Sequence, residues 1–287
     1  MKWKGLQRSQ NVSDRRGMGG MSRGVTLGGG GGLIALVVII LSVCMGGSTD
    51  IGSLLESLES GAPVTSQPGG SDQFEAVDEQ EAFIQAVLGT TEEHWNAVFS
   101  AAGREYHEPG LVLFTTATQS ACGGATSAVG PHYCPLDETI YVDLEFFDEL
   151  VTRFGAQGGD FAQAYVIAHE VGHHVQNELD IMDQVQQLQQ SNPADANELS
   201  VALELQADCL AGTWAHSIFV MEDVLEPGDI EEALDAAQAV GDDRIQEKFQ
   251  GSVNPESWTH GSAEQRKRWF STGYESGDPA ACDTFSS

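Results

Sequence analysis

The fold of this chain is decided by YVIAHEVGHHVQ, residues 165–176. Its apolar spacing, which continues over residues 160–179, predicts an amphipathic helix. Residues four apart project from the same face of a helix, so His169 and His173 can bind one metal ion. Glu170 follows the first of these ligands and can face the ion's water without binding the ion. The pattern therefore predicts a catalytic metal site with Glu170 as the general base.

A second predicted helix, residues 193–221, supplies the third ligand. Catalytic zinc takes three protein ligands and keeps one position open. Glu204 and Asp208 are again four residues apart, and we predict that Glu204 binds the metal. Asp208 is expected to accept the proton of the His169 ring nitrogen that does not bind metal. Acidic residues are also typical of a solvated helix face, but the neighbours here are largely apolar, where free carboxylates are unfavourable.

Three further residues near these patterns have structural interpretations. Gly172 has no side chain beside His173, which lets another element approach closely. His174 lies about 100° round the helix from His173, and we predict a packing or surface role for it. His216 is expected to be a satisfied core residue.

The remaining pattern favours an α+β fold, with two or three strands followed by many helices. The best strands, rich in β-branched and aromatic residues, are 111–119 and 139–147. Which of 111–116 and 139–143 forms a sheet edge for an extended peptide stays open. The other predicted helices are 74–88, a second one capped at Thr90, 144–155, 229–249, and 262–273, capped by Ser262 and Gln265.

The composition excludes one class of partner. The 287 residues include 13 Lys+Arg against 43 Asp+Glu, a net charge of −30. Nucleic-acid binding requires Lys and Arg to neutralise phosphates, so no nucleic-acid partner is expected. Hydrophobic residues make up 41% of the chain, which is sufficient for a folded core.

An uncharged stretch from Gly24 to Thr49 contains the apolar run LIALVVIILSVCM, residues 33–45. Basic residues precede it and an acidic chain follows, which predicts a single-pass anchor with the N-terminus inside. A cleaved signal peptide, or a lipoprotein cleavage box at LSVC, remains an alternative. The predicted organisation is a basic cytoplasmic segment at 1–23, the anchor at 24–47, a Gly/Ser/Pro-rich flexible linker at 48–72, and a catalytic domain at 73–287.

The cysteines support export. Four lie outside the apolar stretch, and four cysteines allow three pairings. The close spacing of Cys122 and Cys134 around a Gly-rich loop favours that pair and leaves Cys209 with Cys282. Disulfides persist in oxidising compartments, so the domain is expected outside the cytoplasmic membrane.

HEVGHH at 169–174, followed by ELQAD at 204–208, resembles the glutamate-type zincin metallopeptidases. Flanking sequence narrows the likeness to the bacterial putative neutral zinc metallopeptidase family, whose members are membrane-anchored at the N-terminus. The likeness covers about residues 73–285 and implies a zincin-like fold, one zinc ion and peptide-bond hydrolysis. The stretches that carry it are SACGGATSAVGPHYCP (120–135), IYVDLEFF (140–147), YVIAHEVGHHVQ (165–176) and THGSAEQRKRWFSTGYESG (259–277).

The resemblance also indicates His260 as the candidate that stabilises the oxyanion. His132 departs from the family pattern, where we expect an aromatic residue such as Phe, and this puts the packing of its loop in doubt. The predicted function is zinc-dependent hydrolysis of peptide or protein substrates outside the cytoplasmic membrane. Two alternatives remain: a membrane-anchored, zinc-stabilised binding or assembly module without turnover, and an amidase acting on cell-wall peptides.

Overall fold

The computed structural model describes residues 1–17, 78–222 and 224–286. The N-terminal residues 1–17 belong to the same compact unit as the residues from 78 onward. The predicted anchor at 24–47 and linker at 48–72 lie outside the described residues. Within the described ranges, no helix is both long and apolar enough to cross a membrane.

A small mixed sheet forms one layer of this unit, with its strands in the order β1-β2-β6-β5. Strands β1, β2 and β6 are parallel, and β5 is antiparallel to β6. A separate antiparallel hairpin is formed by β3 and β4. The strand bounds are β1 Val12–Asp14, β2 Gly110–Phe114, β3 Ala117–Ser120, β4 Gly123–Thr126, β5 His132–Cys134 and β6 Thr139–Asp143.

The strand predicted at 111–119 is two strands in the structure. Thr116 breaks it with a left-handed backbone (φ 70°), and its N–H donates to Asp143 Oδ2 at 2.9 Å. Neither of the stretches considered as the peptide-binding edge, 111–116 with most of β2 and 139–143 with β6, lies at the edge of the sheet. Strands β2 and β6 each have a neighbouring strand on both sides. The edge strands are instead the short strands β1 and β5, which the sequence pattern did not indicate.

Helices make up most of the described chain, which confirms the α+β class with a small mixed sheet. A π-helical turn at Leu150–Phe154 extends α2 to Gly155, and a 3₁₀ turn at Pro193–Asp195 leads into α5. The helices are α1 Glu79–Ala101, α2 Glu145–Glu149, α3 Asp160–Glu178, α4 Ile181–Ser191, α5 Ala196–Glu222, α6 Asp229–Ala239, α7 Asp242–Gln250 and α8 Ala263–Ser276.

Two helix boundaries were predicted wrongly. The cap predicted at Thr90 lies inside the single helix α1, where its hydroxyl donates to the carbonyl oxygen of Val87. The helix predicted at 229–249 breaks at Gly241, where an added Cβ would lie 2.4 Å from the backbone nitrogen of Ala263. By contrast, the predicted capping box of Ser262 and Gln265 is present at the start of α8.

The helix α3 runs through the core and carries the histidine pattern. Its N-terminal half packs through Phe161, whose ring stacks on Trp214 of α5 at a centroid distance of 5.7 Å. Helices α5 and α8 are in close contact at two glycines, where a Cβ on Gly212 or Gly273 would collide with the facing backbone. The disulfides are Cys122–Cys134 and Cys209–Cys282, which are the pairs that the sequence predicts.

Candidate metal centre

Helices α3 and α5 bring His169, His173 and Glu204 together. The candidate ligand atoms all lie within 4.8 Å of one another. Nε2 of His169 is 3.2 Å from Glu204 Oε2, and Nε2 of His173 is 3.5 Å from Glu204 Oε1. Tetrahedral zinc with ligands at its usual bond lengths separates those ligands by about 3.3 Å. The donor set and its spacing therefore fit one zinc ion.

The outer nitrogen of each histidine ring has an acceptor. Nδ1 of His169 lies 2.9 Å from Asp208 Oδ1, as predicted, and Nδ1 of His173 lies 2.8 Å from Gln176 Oε1. Such partners fix the tautomer and the orientation of a metal-binding imidazole, and here they leave both Nε2 atoms facing Glu204. Gln176 was missed, although its i,i+3 spacing from His173 is a signal that could have indicated it.

The Asp208 carboxylate lies in a buried network of its own. Arg266 of α8 donates to it twice, from Nε at 2.8 Å and from a terminal nitrogen at 2.9 Å. The Tyr165 hydroxyl also donates to Asp208, at 2.5 Å. A buried carboxylate requires partners of this kind. Arg266 was not predicted, because it lies 58 residues away along the chain.

This network shifts the pKa of each group. Burial raises the pKa of Asp208, but Arg266 and His169 together outweigh it and lower the pKa to about 2. Burial lowers the pKa of His169, but the carboxylates of Asp208 and Glu204 raise it to about 10. The pKa of His173 is also raised, by Glu204 against its burial. In the metal-free protein the raised pKa of about 10 keeps the His169 imidazole protonated on both nitrogens at neutral pH.

Gly172 is the point at which the two ligand-bearing helices meet. A Cβ added there would lie 3.0 Å from both the Cα and the carbonyl oxygen of Ala207, which stands between Glu204 and Asp208. The predicted close approach is therefore made by α5 itself. The absence of a side chain at Gly172 sets the distance between the histidine pair and Glu204.

The metal group opens into a cleft of about 420 Å³. Glu170 lines this cleft beside the two histidines and is 7% exposed. The edge strand β5 borders the cleft through His132 and Tyr133. Apart from Tyr165, His260 and Arg266, the rest of the wall is apolar and comprises Val129, Pro131, Phe146, Leu150, Val166, Met182, Leu203, Ala236 and Val240.

The loop before α8 places His260 at the cleft, with its side chain about half exposed. The loop is organised by Asp242, whose Oδ2 accepts the backbone N–H groups of Thr259, His260 and Gly261 at 2.7, 2.6 and 3.0 Å. Oδ1 of the same residue lies 3.5 Å from Nδ1 of His260. Asp242 was missed because nothing in the spacing relates it to His260.

The other histidines singled out from the sequence have structural partners. His174 is completely buried; its ring contacts the Tyr133 hydroxyl at 2.9 Å and the carbonyl oxygen of His107 at 2.6 Å. His216 is half-buried and not in the core, contrary to the prediction, but its Nδ1 has a partner in the carbonyl oxygen of Tyr274 at 2.7 Å. His132, at the position where an aromatic residue is expected, stacks on Tyr141 with a centroid distance of 5.5 Å.

The comparisons with known proteins agree with this chemistry. The family model described as "Putative neutral zinc metallopeptidase" matches residues 1–285. The chain is 47% identical over 294 residues to "Uncharacterized protein YpfJ" of Escherichia coli (strain K12), with 99% of each chain covered. It is 48% identical over 213 residues to "Uncharacterized protein Rv2575" of Mycobacterium tuberculosis, with 71% of each chain covered. No solved structure matches the chain.

Proposed function

Since the chain belongs to the putative neutral zinc metallopeptidase family, we propose that it is a zinc-dependent hydrolase of peptide bonds. The observation that carries the proposal is the convergence of His169, His173 and Glu204 within 4.8 Å, with Glu170 lining the same cleft. A structural zinc site closes its fourth position with a protein ligand. Here the remaining side faces a cleft instead.

The three ligands would hold one zinc ion. When bound, zinc supplies a Lewis acid that lowers the pKa of a water molecule and polarises a carbonyl group. Two imidazoles and one carboxylate are donors that suit zinc, and each imidazole is oriented through its other nitrogen. The Asp208–Arg266 ion pair holds one side of this arrangement, and Gln176 holds the other.

Glu170 is assigned the proton transfers. It precedes Val171 and Gly172 on the helix that supplies both histidines, so the helix fixes its position relative to them. Its carboxylate lies at the cleft and not among the ligand atoms. A base in this position takes a proton from the attacking water and delivers it to the leaving amine.

We assign to His260 the role of stabilising the negative charge that develops on the substrate carbonyl oxygen. Preorganised hydrogen-bond donors at a developing oxyanion are a large contribution to catalysis. Three backbone N–H groups bound to one Asp242 oxygen hold the loop of His260 in place. The imidazole therefore reaches the cleft from a loop with a defined conformation.

We infer that the substrate binds with an extended backbone and that it has an apolar side chain near the cleaved bond. Strand β5 ends the sheet and borders the cleft, and an extended peptide adds to such an edge through main-chain hydrogen bonds. The wall beside it is formed mainly by apolar side chains. We place the reaction outside the cytoplasm because two disulfides close the fold.

The test uses the purified, zinc-loaded full-length chain with a mixed peptide library that includes cell-wall peptides. We expect cleavage that a chelator abolishes and zinc restores, with Glu170→Gln inactive and still zinc-loaded. Glu247→Gln, an exposed position on α7, is the matched control and should keep full activity. Zinc-loaded protein that cleaves nothing would instead identify a binding module, and cleavage of cell-wall peptides alone would identify an amidase.

A further inference from the structure

The N-terminal segment, residues 1–17, supplies a strand to the sheet that borders the cleft. Strand β1 pairs in parallel with the outer edge of β2. The ladder continues on both sides of β1, because Leu111 N–H donates to the Asn11 carbonyl oxygen at 2.9 Å and Arg15 N–H donates to the Leu113 carbonyl oxygen at 2.8 Å. The segment is therefore an edge strand of the fold.

Helix α1 is shaped to receive the same segment. A Cβ on Gly89 would lie 2.5 Å from the carbonyl oxygen of Gln7, so the two backbones fit only because this helix position has no side chain. Ser9 is buried; its N–H donates to the Gln85 carbonyl oxygen at 2.9 Å and its hydroxyl donates to Glu92 at 2.5 Å. Glu92 is itself buried, and without Ser9 it would lose a hydrogen-bond partner.

The first residues extend the contact to the core. The Met1 side chain is 6% exposed and belongs to the main hydrophobic cluster. The Trp3 ring packs edge-on against Phe83 at 5.6 Å. The amino group of Met1 lies 2.8 Å from Asp160, the first residue of the helix that carries both histidine ligands. These contacts connect the segment to the element that forms the metal centre.

Basic residues of the segment are used in ion pairs within the domain. Arg16 lies 2.7 Å from Asp14 and 2.8 Å from Asp78, and Lys4 lies 2.7 Å from Glu79. These residues contribute to the positive charge from which an inside N-terminus is predicted. Because these charges pair with the folded domain, they give little support to a topology in which the segment and the domain lie on opposite sides of a membrane.

We propose that residues 1–17 lie in the same compartment as the metal centre. A chain that crossed a membrane once between Gly17 and Asp78 would separate β1 from β2 and expose the core surface that Met1 and Ser9 cover. The uncharged stretch from Gly24 to Thr49 suffices for one crossing of about 20 residues but not for two. This compartment sharing replaces the predicted topology, in which the N-terminus is inside and the domain outside.

The proposal is tested in intact cells that produce the full-length chain, with a membrane-impermeant maleimide. Gln10→Cys places a thiol on the exposed part of the N-terminal segment, and Gln187→Cys places one on the exposed face of α4. Mass spectrometry of the labelled peptides separates these thiols from Cys44. Labelling after permeabilisation verifies that both thiols react.

Two outcomes support the proposal: both thiols label in intact cells, or both are protected until permeabilisation. Labelling of one thiol and protection of the other would overturn it.

The docking itself is tested on the purified chain by a zero-length carbodiimide cross-link between Lys4 and Glu79. We expect the cross-linked peptide from the wild type and its loss with Lys4→Gln; a wild-type chain that forms no such cross-link would also overturn the proposal.

Discussion

Oδ1 of Asp208 lies 2.9 Å from Nδ1 of His169, and the same carboxylate is bound by Arg266. The ring of this ligand is therefore held by an ion pair that is buried beneath the metal centre. Because such a carboxylate both orients an imidazole and increases its basicity, we expect the zinc affinity of the proposed site to depend on Asp208, which is not one of the candidate ligands.

Replacing Asp208 by Asn tests this dependence. The amide still offers an oxygen to His169 but carries no charge, so zinc affinity should fall by about 10–100-fold. Competition with a chromophoric chelator measures the affinity, and circular dichroism checks that the variant is folded. A folded variant with wild-type zinc affinity would show that the carboxylate does not tune the site.

Gly172→Ala tests the contact between the two ligand-bearing helices. Helix propensity alone favours Ala over Gly by about 1 kcal/mol, but the new Cβ would meet the Ala207 backbone at 3.0 Å. The variant should therefore be less stable to denaturant and bind zinc more weakly, opposite to propensity. Gly124→Ala, whose Cβ would meet only the Gln119 side chain at 3.8 Å, is the control and should change neither quantity.

Zinc binding should release protons at neutral pH. The raised pKa values of His169 and His173 mean that the metal-free imidazoles are protonated below those values and must lose a proton to bind zinc. Apparent affinity should consequently increase with pH until the folded-state pKa of about 10 for His169 is passed. Calorimetry in buffers of different ionisation enthalpy counts the protons, and a buffer-independent heat would contradict this prediction.

His260→Ala tests the assigned stabilisation of the oxyanion. Removal of one such donor typically lowers kcat by about 10²–10³-fold, and KM should change far less. Zinc content should stay at the wild-type level, because His260 lies outside the ligand group. Asp242→Asn should lower kcat in the same direction, since it loosens the loop that holds His260. Equal kcat values for His260→Ala and the wild type would remove this residue from the mechanism.

The local part of the site is predictable from sequence. His169, His173, Glu204 and Asp208 are each fixed by i,i+4 spacing on a helix, and such spacing is visible without tertiary structure. Arg266 and Asp242 are recruited through tertiary contacts, which periodicity does not encode. The capping box at Ser262 is likewise local and is confirmed.

The errors in predicting the fold also come from tertiary contacts that the sequence pattern does not encode. Thr90 is followed by a sequence that fits a capping box, but buried packing along α1 continues the helix through it. Strand β1 is too short to have a pattern and exists because β2 offers it an open edge. The zincin-like fold itself stays a prediction, as do the roles of Glu170 and His260.

The central claim is that His169, His173 and Glu204 hold one zinc ion, and elemental analysis of the purified full-length chain tests it most directly. The predicted result is one zinc per wild-type chain, its loss in Glu204→Ala, and its retention in Glu198→Ala, an exposed position on the same helix. A wild-type chain without zinc, or a Glu204→Ala variant that binds zinc as tightly as the wild type, would contradict the account.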